Sequence, residues 1–164
     1  MKINVSNVLR NLDSRAEASG EVLVSHIDYM GEDIRVNKPI KVSAVAVNNG
    51  RDISLTGKIK ADLTLKCSRC LKDFEYVLET EFEEKLSKES GNDDAIHFEG
   101  EIVDLTDIVL NNILLSLPMK PVCREDCKGL CPKCGSDMNI DKCRCAEKDI
   151  DPRFSVLKDL FKGD

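Results

Sequence analysis

Tryptophan is missing from this sequence, and aromatic residues make up only 4% of it. The hydrophobic core must therefore consist mainly of aliphatic side chains. No apolar run approaches the roughly 18 residues that a membrane-spanning helix needs. Residues 1–10 also lack the apolar centre of a secretory signal. We therefore expect a soluble, cytoplasmic protein that contacts no membrane.

The sequence also lacks a surplus of positive charge, because 24 Lys and Arg are outnumbered by 30 Asp and Glu. Proteins that coat nucleic acid phosphates usually start from a basic balance. The formal net charge of -6 therefore argues against broad, unaided binding of nucleic acid. A length of 164 residues favours one domain with at most a small appended module.

Features typical of enzymes are equally scarce. The sequence has no Gly-rich phosphate loop, and its spacing favours no set of Ser, His and Asp. His26 lies in an alternating strand pattern and His97 in an acidic connector, where packing or surface roles are commoner than catalysis. We therefore expect no enzymatic activity and no small-molecule substrate.

Cysteine, in contrast, is abundant. Eight cysteines without an export signal indicate reduced thiols, and their paired spacing is more typical of metal sites than of disulfides. Zinc binds four thiolates in a tetrahedron, so the sequence predicts two closed, structural Zn²⁺ sites with no open position for catalysis. In chain order, the first to fourth pairs are Cys67 and Cys70, Cys123 and Cys127, Cys131 and Cys134, and Cys143 and Cys145.

The four pairs can be combined in two ways. The preferred combination closes one site locally from the third and fourth pairs, and joins the first pair to the second. The alternative joins the second pair to the third and leaves the first with the fourth. Spacing alone leaves both combinations open, and it also leaves an iron–sulfur cluster open as the alternative to zinc.

Alternating apolar residues predict an antiparallel meander. Residues 40–46 are apolar at even positions and residues 53–65 at odd ones. The Asn-Gly sequence at 49–50 favours a two-residue type I′ turn, which places Ala46 opposite Ile53.

A second hairpin follows, with the first cysteine pair at its tip. Several registers would match the apolar faces of its two strands. The register that pairs Lys66 with Asp73 and Lys60 with Glu79 keeps Asp62 away from a glutamate, so we predict that register.

The remaining elements follow from periodicity and capping signals. They are strands at 21–27 and 33–36, a loop or short helix at 11–20, a polar connector at 87–100, a helix at 105–117 behind Asp104, and a final helix after Asp151-Pro152. The expected fold is α+β, with an antiparallel sheet that could close into a barrel and a C-terminal, zinc-ribbon-like module. The predicted division is a β-rich body over residues 1–117 and a Cys-rich module over residues 118–164.

Charge is unevenly distributed along the chain. Residues 72–107 contain thirteen acidic residues and three lysines, for a net of -10. Such a segment is usually a solvated face, but it could also dock a basic protein. Residues 118–164 contain ten basic and nine acidic residues, so a local patch could contact RNA. The candidate RNA contacts are Lys120, Arg124, Lys128, Lys133, Lys142 and Arg144.

Several motifs occur in a distinctive order. These are Cys67-Ser-Arg-Cys70-Leu71, Leu117-Pro118, the run Cys123-Arg-Glu-Asp-Cys127-Lys-Gly-Leu-Cys131-Pro-Lys-Cys134-Gly135, and Asp151-Pro-Arg153 before a short helix. Over residues 20–162 this order resembles the YceD family of large ribosomal RNA subunit accumulation proteins. The resemblance implies a bacterial cytoplasmic protein, with relatives in plastids, that supports accumulation of 23S rRNA and has no established catalytic reaction.

The resemblance also suggests a partner. In many bacteria the gene of a family member lies beside that of a small, basic ribosomal protein of the large subunit. Family members differ in how many cysteines they keep, so zinc is not a general requirement of the function. The leading hypothesis is a non-enzymatic ribosome biogenesis factor that binds a basic ribosomal protein or pre-rRNA. The alternatives are a redox-switched zinc-thiolate chaperone and a nucleic-acid-binding zinc ribbon that acts in transcription.

Overall fold

The computed structural model describes residues 1–29, 31–88, 94–141, Cys143 and Cys145. The helix predicted after Asp151-Pro152 lies outside these residues. Neither of the two described helices is long and apolar enough to cross a bilayer. The elements are β1 (Lys2–Asn4), α1 (Ser6–Arg10), β2 (Arg15–Val22), β3 (His26–Tyr29), β4 (Glu32–Val36), β5 (Ile40–Asn48), β6 (Ile53–Lys66), β7 (Asp73–Ser87), β8 (Ile96–His97), β9 (Ile102–Asp104) and α2 (Thr106–Ser116).

The long strand β6 organises the main sheet. One edge of β6 pairs with β5 and then with β4, and its other edge pairs with β7. Strand β2 continues the sheet beyond β5, and β3 continues it beyond β4. All of these pairings are antiparallel, so the α+β prediction with an antiparallel sheet is confirmed.

The expected option of barrel closure is wrong. Among the described strands, β2 and β7 lie at opposite margins and do not pair with each other. The inner face of the sheet is instead covered by a second layer that contains α2, α1 and the small β1–β9 sheet. Because this layer buries the apolar face, the sheet does not have to close on itself.

Helix α2 supplies much of the covering layer. It begins at Thr106, whose backbone N–H donates to the Asp104 carboxylate at 3.0 Å. Ile108, Val109 and Ile113 are its buried residues, which confirms the helix predicted at 105–117. The proposed division after residue 117 stays a prediction.

The β6–β7 hairpin has the register that the charges predicted. Lys66 lies opposite Asp73 and Lys60 opposite Glu79. The Lys60 Nζ atom is 2.5 Å from Glu79 Oε1, and the next outward pair, Lys58 and Glu81, forms a second ion pair at 2.7 Å. This register places both apolar rows on the core face.

The β5–β6 hairpin differs from the prediction by two residues. Ala46 lies opposite Leu55, and the strands end at Asn48 and Ile53, so the connection has four residues instead of two. Gly50 has a φ of 91°, whereas Asn49 is not among the described residues with positive φ, and a type I′ turn needs both. A shift of two residues preserves which side chains face the core.

The Asn48 side chain explains the longer connection. Its Nδ2 donates to the carbonyl oxygen of Val8 at 2.6 Å, and its Oδ1 accepts the Gly50 N–H at 2.7 Å. We expect Asn48→Ala to lower the free energy of unfolding by about 1–3 kcal/mol, because both partners lose a hydrogen bond. Asn49→Ala is the matched control and should change it by less than about 0.5 kcal/mol. Chemical denaturation measures both, and equal losses in the two variants would contradict this account.

The N-terminal strands were only partly predicted. Strand β4 confirms the strand predicted at 33–36. The loop or helix expected at 11–20 is wrong, because β2 covers much of it. Its inward positions hold small residues such as Ala16 and Ala18, which give a weak apolar pattern. The strand predicted at 21–27 is interrupted at residues 23–25 between β2 and β3.

Candidate metal centres

The first and second cysteine pairs form one cluster, which we term the tip cluster. Cys67 and Cys70 lie in the turn between β6 and β7, and Cys123 and Cys127 lie in the segment after α2. All four Sγ atoms lie within 4.8 Å of one another. Cys67, Cys70 and Cys127 are buried. The tip cluster therefore joins the hairpin to a part of the chain more than fifty residues later.

The third and fourth pairs form a second cluster, which we term the local cluster. The Sγ atoms of Cys131, Cys134, Cys143 and Cys145 also lie within 4.8 Å of one another. Cys131 is buried, whereas Cys134 is exposed. The structure thus brings together the pairs of the preferred combination and separates those of the alternative.

The two Cys-x2-Cys turns have the same backbone geometry. In the local cluster Gly135 has a φ of 72°, and its N–H donates to the Cys131 carbonyl at 2.9 Å. In the tip cluster Leu71 has a φ of 60°, and its N–H donates to the Cys67 carbonyl at 2.9 Å. The sequence indicated this conformation only at Gly135, because glycine adopts it readily and a leucine such as Leu71 rarely does.

The sulfur separations fit a tetrahedral ion. Four sulfurs placed 2.3 Å from a central zinc are about 3.8 Å apart. In the tip cluster, Cys67 and Cys127 are separated by 3.9 Å and Cys70 and Cys123 by 3.8 Å. In the local cluster, Cys134 and Cys143 are separated by 3.6 Å, and Cys131 and Cys143 by 3.2 Å. The tip cluster therefore has the spacing of a bound ion, whereas in the local cluster the sulfurs of Cys131 and Cys143 would have to move about 0.6 Å apart to reach that spacing.

Electrostatics in the tip cluster favour one thiolate and oppose another. Burial raises the pKa of Cys67, but backbone N–H donors from Cys70, Cys123 and Arg69 outweigh this effect and lower it to about 6. Burial, together with the neighbouring thiols of Cys127 and Cys67, raises the pKa of Cys123 to about 12. The folded chain therefore favours ionisation of Cys67, whereas burial and the neighbouring thiols oppose ionisation of Cys123.

The local cluster likewise contains one thiol with a lowered pKa and one with a raised pKa. Hydrogen bonds from Ser136 lower the pKa of Cys134 to about 6, whereas the thiols of Cys143 and Cys134 raise the pKa of Cys145 to about 12. Four crowded thiols cannot all ionise without a compensating cation. A divalent metal ion supplies that charge, so both groups have the chemistry of metal sites.

Arg69 attaches the tip-cluster turn to the chain that connects the two clusters. Its Nη1 donates to the carbonyls of Glu125 at 3.2 Å and Cys127 at 2.8 Å. Its own carbonyl accepts the Leu130 N–H at 3.1 Å. A Cβ at Gly129 would lie 2.8 Å from that same carbonyl, so only glycine fits there without a shift. The connecting chain therefore packs closely against the turn.

Asn139 and Asp137 form a second link between the clusters. Asn139 Nδ2 donates to Cys127 Sγ at 3.5 Å and to Asp137 Oδ1 at 2.7 Å. Asp137 Oδ2 lies 2.7 Å from Nζ of Lys72, which follows the tip-cluster turn. Lys72, with the amide groups of Asn139, lowers the pKa of Asp137 to about 2.

We expect Asp137→Asn to lower the melting temperature, and the deficit to stay constant from pH 8 to pH 5. The pKa of Asp137 falls from its ordinary 3.8 to about 2 in the folded chain. The contribution of Asp137 to stability is therefore complete at pH values above its pKa in the unfolded chain. It is lost only as the pH falls towards the lower pKa of the folded chain. Asp126→Asn, which removes an exposed ion pair with Arg124, is the control and should have little effect. Thermal denaturation measures both, and a deficit that disappears by pH 5 would contradict the assignment.

Sequence reasoning found the thiols but missed the residues that support them. Arg69, Lys72, Asp137 and Asn139 occur as ordinary polar residues, and no spacing rule links Lys72 with Asp137 across the chain. The only local signal was their position beside cysteine pairs. Their roles depend on two distant turns lying side by side.

The candidate RNA contacts are only partly described. Lys120, Arg124, Lys128 and Lys133 are exposed. Arg124 also donates to Asn139 Oδ1 at 2.9 Å, so it has a structural contact. Lys142 and Arg144 lie outside the described residues, and the patch as a whole stays a prediction. His26 and His97 are both exposed and lie in β3 and β8.

The fold and its clusters define a class of protein: an open antiparallel sheet, covered on one face, that carries two four-cysteine groups able to hold metal. The family model described as large ribosomal RNA subunit accumulation protein YceD matches residues 55–161. The chain therefore belongs to the YceD family.

Relatives in several organisms support the assignment. The chain is 30% identical over 148 residues to the uncharacterized protein YlbN of Bacillus subtilis, covering 87% of this chain and 86% of that protein. It is 25% identical over 155 residues to the chloroplastic large ribosomal RNA subunit accumulation protein YCED homolog 1 of Arabidopsis thaliana, covering 74% of this chain and 48% of that one. An uncharacterized protein of Mycobacterium bovis is 30% identical over 116 residues, covering 66% and 56%.

The chain thus spans most of the Bacillus protein and about half of the plant and mycobacterial ones. No solved structure matches this chain.

Proposed function

We propose that this protein is a non-enzymatic ribosome biogenesis factor of the bacterial cytoplasm that supports the synthesis, processing or stability of 23S rRNA. Membership of a family described by large ribosomal RNA accumulation carries the proposal. The four-thiol groups are consistent with a structural role, since four protein ligands leave no open coordination position for substrate. Reduced thiols in both clusters are in keeping with a cytoplasmic location.

We further propose that each cluster holds Zn²⁺. Four cysteine ligands in tetrahedral spacing suit zinc, although they also suit iron–sulfur chemistry. Metal analysis of the untagged protein tests the choice. We expect about two zinc ions per chain and no visible absorbance. Absorbance from iron would overturn the assignment of zinc while leaving the role in biogenesis intact.

The proposed partner is a basic ribosomal protein of the large subunit, and pre-rRNA is the second choice. Segment 72–107 carries a net charge of -10, which favours contact with a basic protein over contact with phosphates. The exposed Lys120 and Lys128 provide the alternative contact with RNA. The acidic segment lies mainly on β7 and after it.

Two measurements test this function. Deletion of the gene should reduce 23S rRNA relative to 16S rRNA, and expression of the chain should restore it. Pull-down of large-subunit intermediates should survive RNase digestion but be lost near about 0.5 M salt, where the screening length falls below about 5 Å. Loss on RNase treatment instead would favour direct contact with pre-rRNA. Unchanged 23S rRNA in the deletion strain would overturn the function itself.

A redox-switched chaperone is the second candidate, and the local cluster is the observation that favours it. Cys134 is exposed, and the Sγ atoms of Cys131 and Cys143 are only 3.2 Å apart. Peroxide would oxidise two such thiols to a disulfide, forming water and releasing the metal ion. Release of metal by peroxide together with a gain of holdase activity would support this candidate. Metal release without holdase activity would exclude it.

A further inference from the structure

One edge of β7 is open over most of its length. Strand β6 pairs with β7 from Asp73 to Leu86 on one side. On the other side, within the described part of the chain, only β8 pairs with it, at Leu86 and Ser87. Residues 73–85 therefore present a row of backbone N–H and C=O groups without a partner strand. Such an edge is a template for another extended chain.

The open stretch is held firmly in place by α2. Thr80 Oγ1 lies 2.9 Å from Ser116 Oγ, and Asn112 Nδ2 donates to Glu84 Oε1 at 2.9 Å. Leu78 and Phe82 are buried on the same side of the strand. Because the strand is already anchored by β6 and α2, an added chain would not have to order it on binding.

The outward face beside this edge is acidic. Glu79 and Glu81 are paired with lysines of β6. Glu75 and Glu83 are exposed and meet no cation among the described side chains. Val77, between them, is 54% exposed. The edge therefore offers negative charge at alternate positions around one apolar side chain.

This pattern decides between the occupants of the edge. A second copy of β7 would bring its glutamates against those of the first, and like charges on adjacent strands are unfavourable. A nucleic acid strand is also anionic. A chain with Lys or Arg at alternate positions complements the glutamates while its backbone pairs with the edge.

We propose that residues 73–85 of β7 accept an extended basic segment of a partner protein as an added β-strand. Basic side chains of that segment lie beside Glu75 and Glu83, and an apolar one lies beside Val77. This inference rests on the proposed function for the nature of the partner. It adds the surface and the mode of binding.

The test uses the full metal-loaded chain and a synthetic peptide of about twelve residues, which covers the open edge. Lysine alternates with threonine in this peptide, except that one lysine near the middle is replaced by valine to match Val77. Fluorescence anisotropy measures affinity, and amide hydrogen exchange locates the contact. We expect slower exchange of the amides in residues 73–85 that point away from β6, and affinity that falls as salt rises. The same peptide with alternate backbone nitrogens methylated keeps its charge but cannot pair along one edge, so it should bind at least about tenfold more weakly.

The matched variants change charge on the two margins of the sheet. E75K/E83K should weaken peptide binding by at least about tenfold, because attraction becomes repulsion. E17K/E21K makes the same charge change on exposed residues of β2 and should alter affinity less than about twofold. Unchanged melting temperature and metal content confirm that each variant is folded.

Four results would overturn the inference. They are equal binding of the methylated peptide, equal binding by E75K/E83K, slow exchange in the free chain of the amides in residues 73–85 that point away from β6, and protection of these amides by self-association. Failure of the proposed function is distinct, since it shows as unchanged 23S rRNA in the deletion strain. If expression of E75K/E83K in the deletion strain restores 23S rRNA, binding at the β7 edge is refuted, whereas the proposed function still holds.

Discussion

Replacing Cys67 with alanine is expected to reduce the bound metal from about two ions per chain to about one and to lower the free energy of unfolding by at least about 3 kcal/mol. Cys67 is fully buried, and its sulfur lies 3.9 Å from that of Cys127. A structural metal ion contributes on the order of 10 kcal/mol to the folded state. Losing one of its four ligands therefore weakens the attachment of the hairpin to the later segment. Metal analysis and denaturation with and without a chelator measure the effect.

Cys134→Ala provides the matched comparison. Cys134 is exposed and belongs to the local cluster, whose ligands come from a short stretch of chain. This variant should also lose about one metal ion, but protease should then attack only the region around residues 131–145. In Cys67→Ala we expect cleavage earlier, near residues 118–127, since that segment loses its anchor. Identical cleavage patterns would show that the tip cluster does not join the two parts of the chain.

Gly57→Ala is expected to lower the free energy of unfolding by about 2–3 kcal/mol. Gly57 lies in β6 opposite Phe82, with the aromatic ring above it. A Cβ there would lie 2.5 Å from the Phe82 ring and 2.5 Å from the Ser43 carbonyl oxygen. The ring is buried and the carbonyl belongs to a neighbouring strand, so neither can move away cheaply. Thermal and denaturant unfolding measure the loss.

Gly20→Ala is the control, because a Cβ at that position would meet only the Met1 side chain, with Sδ at an ordinary 3.5 Å and Cγ at 3.8 Å. It should be neutral within about 0.5 kcal/mol. In G57A/F82L the ring contact is removed but the Ser43 carbonyl stays in place. The added loss caused by G57A should therefore be smaller in the F82L background than in the natural chain. If G57A lowers the free energy of unfolding equally in both backgrounds, the clash with the Ser43 carbonyl oxygen causes the whole loss and the Phe82 ring causes none.

The two hairpins show when a register can be predicted. For β6 and β7, Asp62 decided the prediction, because the registers shifted by two residues would place it opposite a glutamate, whereas the observed register places it opposite Val77. For β5 and β6, the Asn-Gly signal was local, whereas Asn48 forms its hydrogen bond with Val8 in a distant helix. The local preference of Asn-Gly for a two-residue turn is weaker than the stabilisation from this hydrogen bond, which forms only in the folded chain.

Strand β2 shows that a strand can be missed when its own residues give no clear pattern. Its inward side chains include Ala16 and Ala18, which are too small to give a clear apolar alternation. Eight backbone pairings with β5 hold it in the sheet. Pairing with a partner strand, which local sequence does not encode, therefore made these residues a strand.

The sequence by itself determined that the chain has four cysteine pairs, an antiparallel meander and the helix α2, because spacing and periodicity act over a few residues. Only the tertiary structure decided which pairs share a cluster. Cys67 and Cys127 are sixty residues apart, and their sulfurs meet because the β6–β7 turn packs against the segment after α2. The same packing brought Lys72 to Asp137. Contacts between distant segments depend on how whole layers are arranged, and no local pattern contains that information.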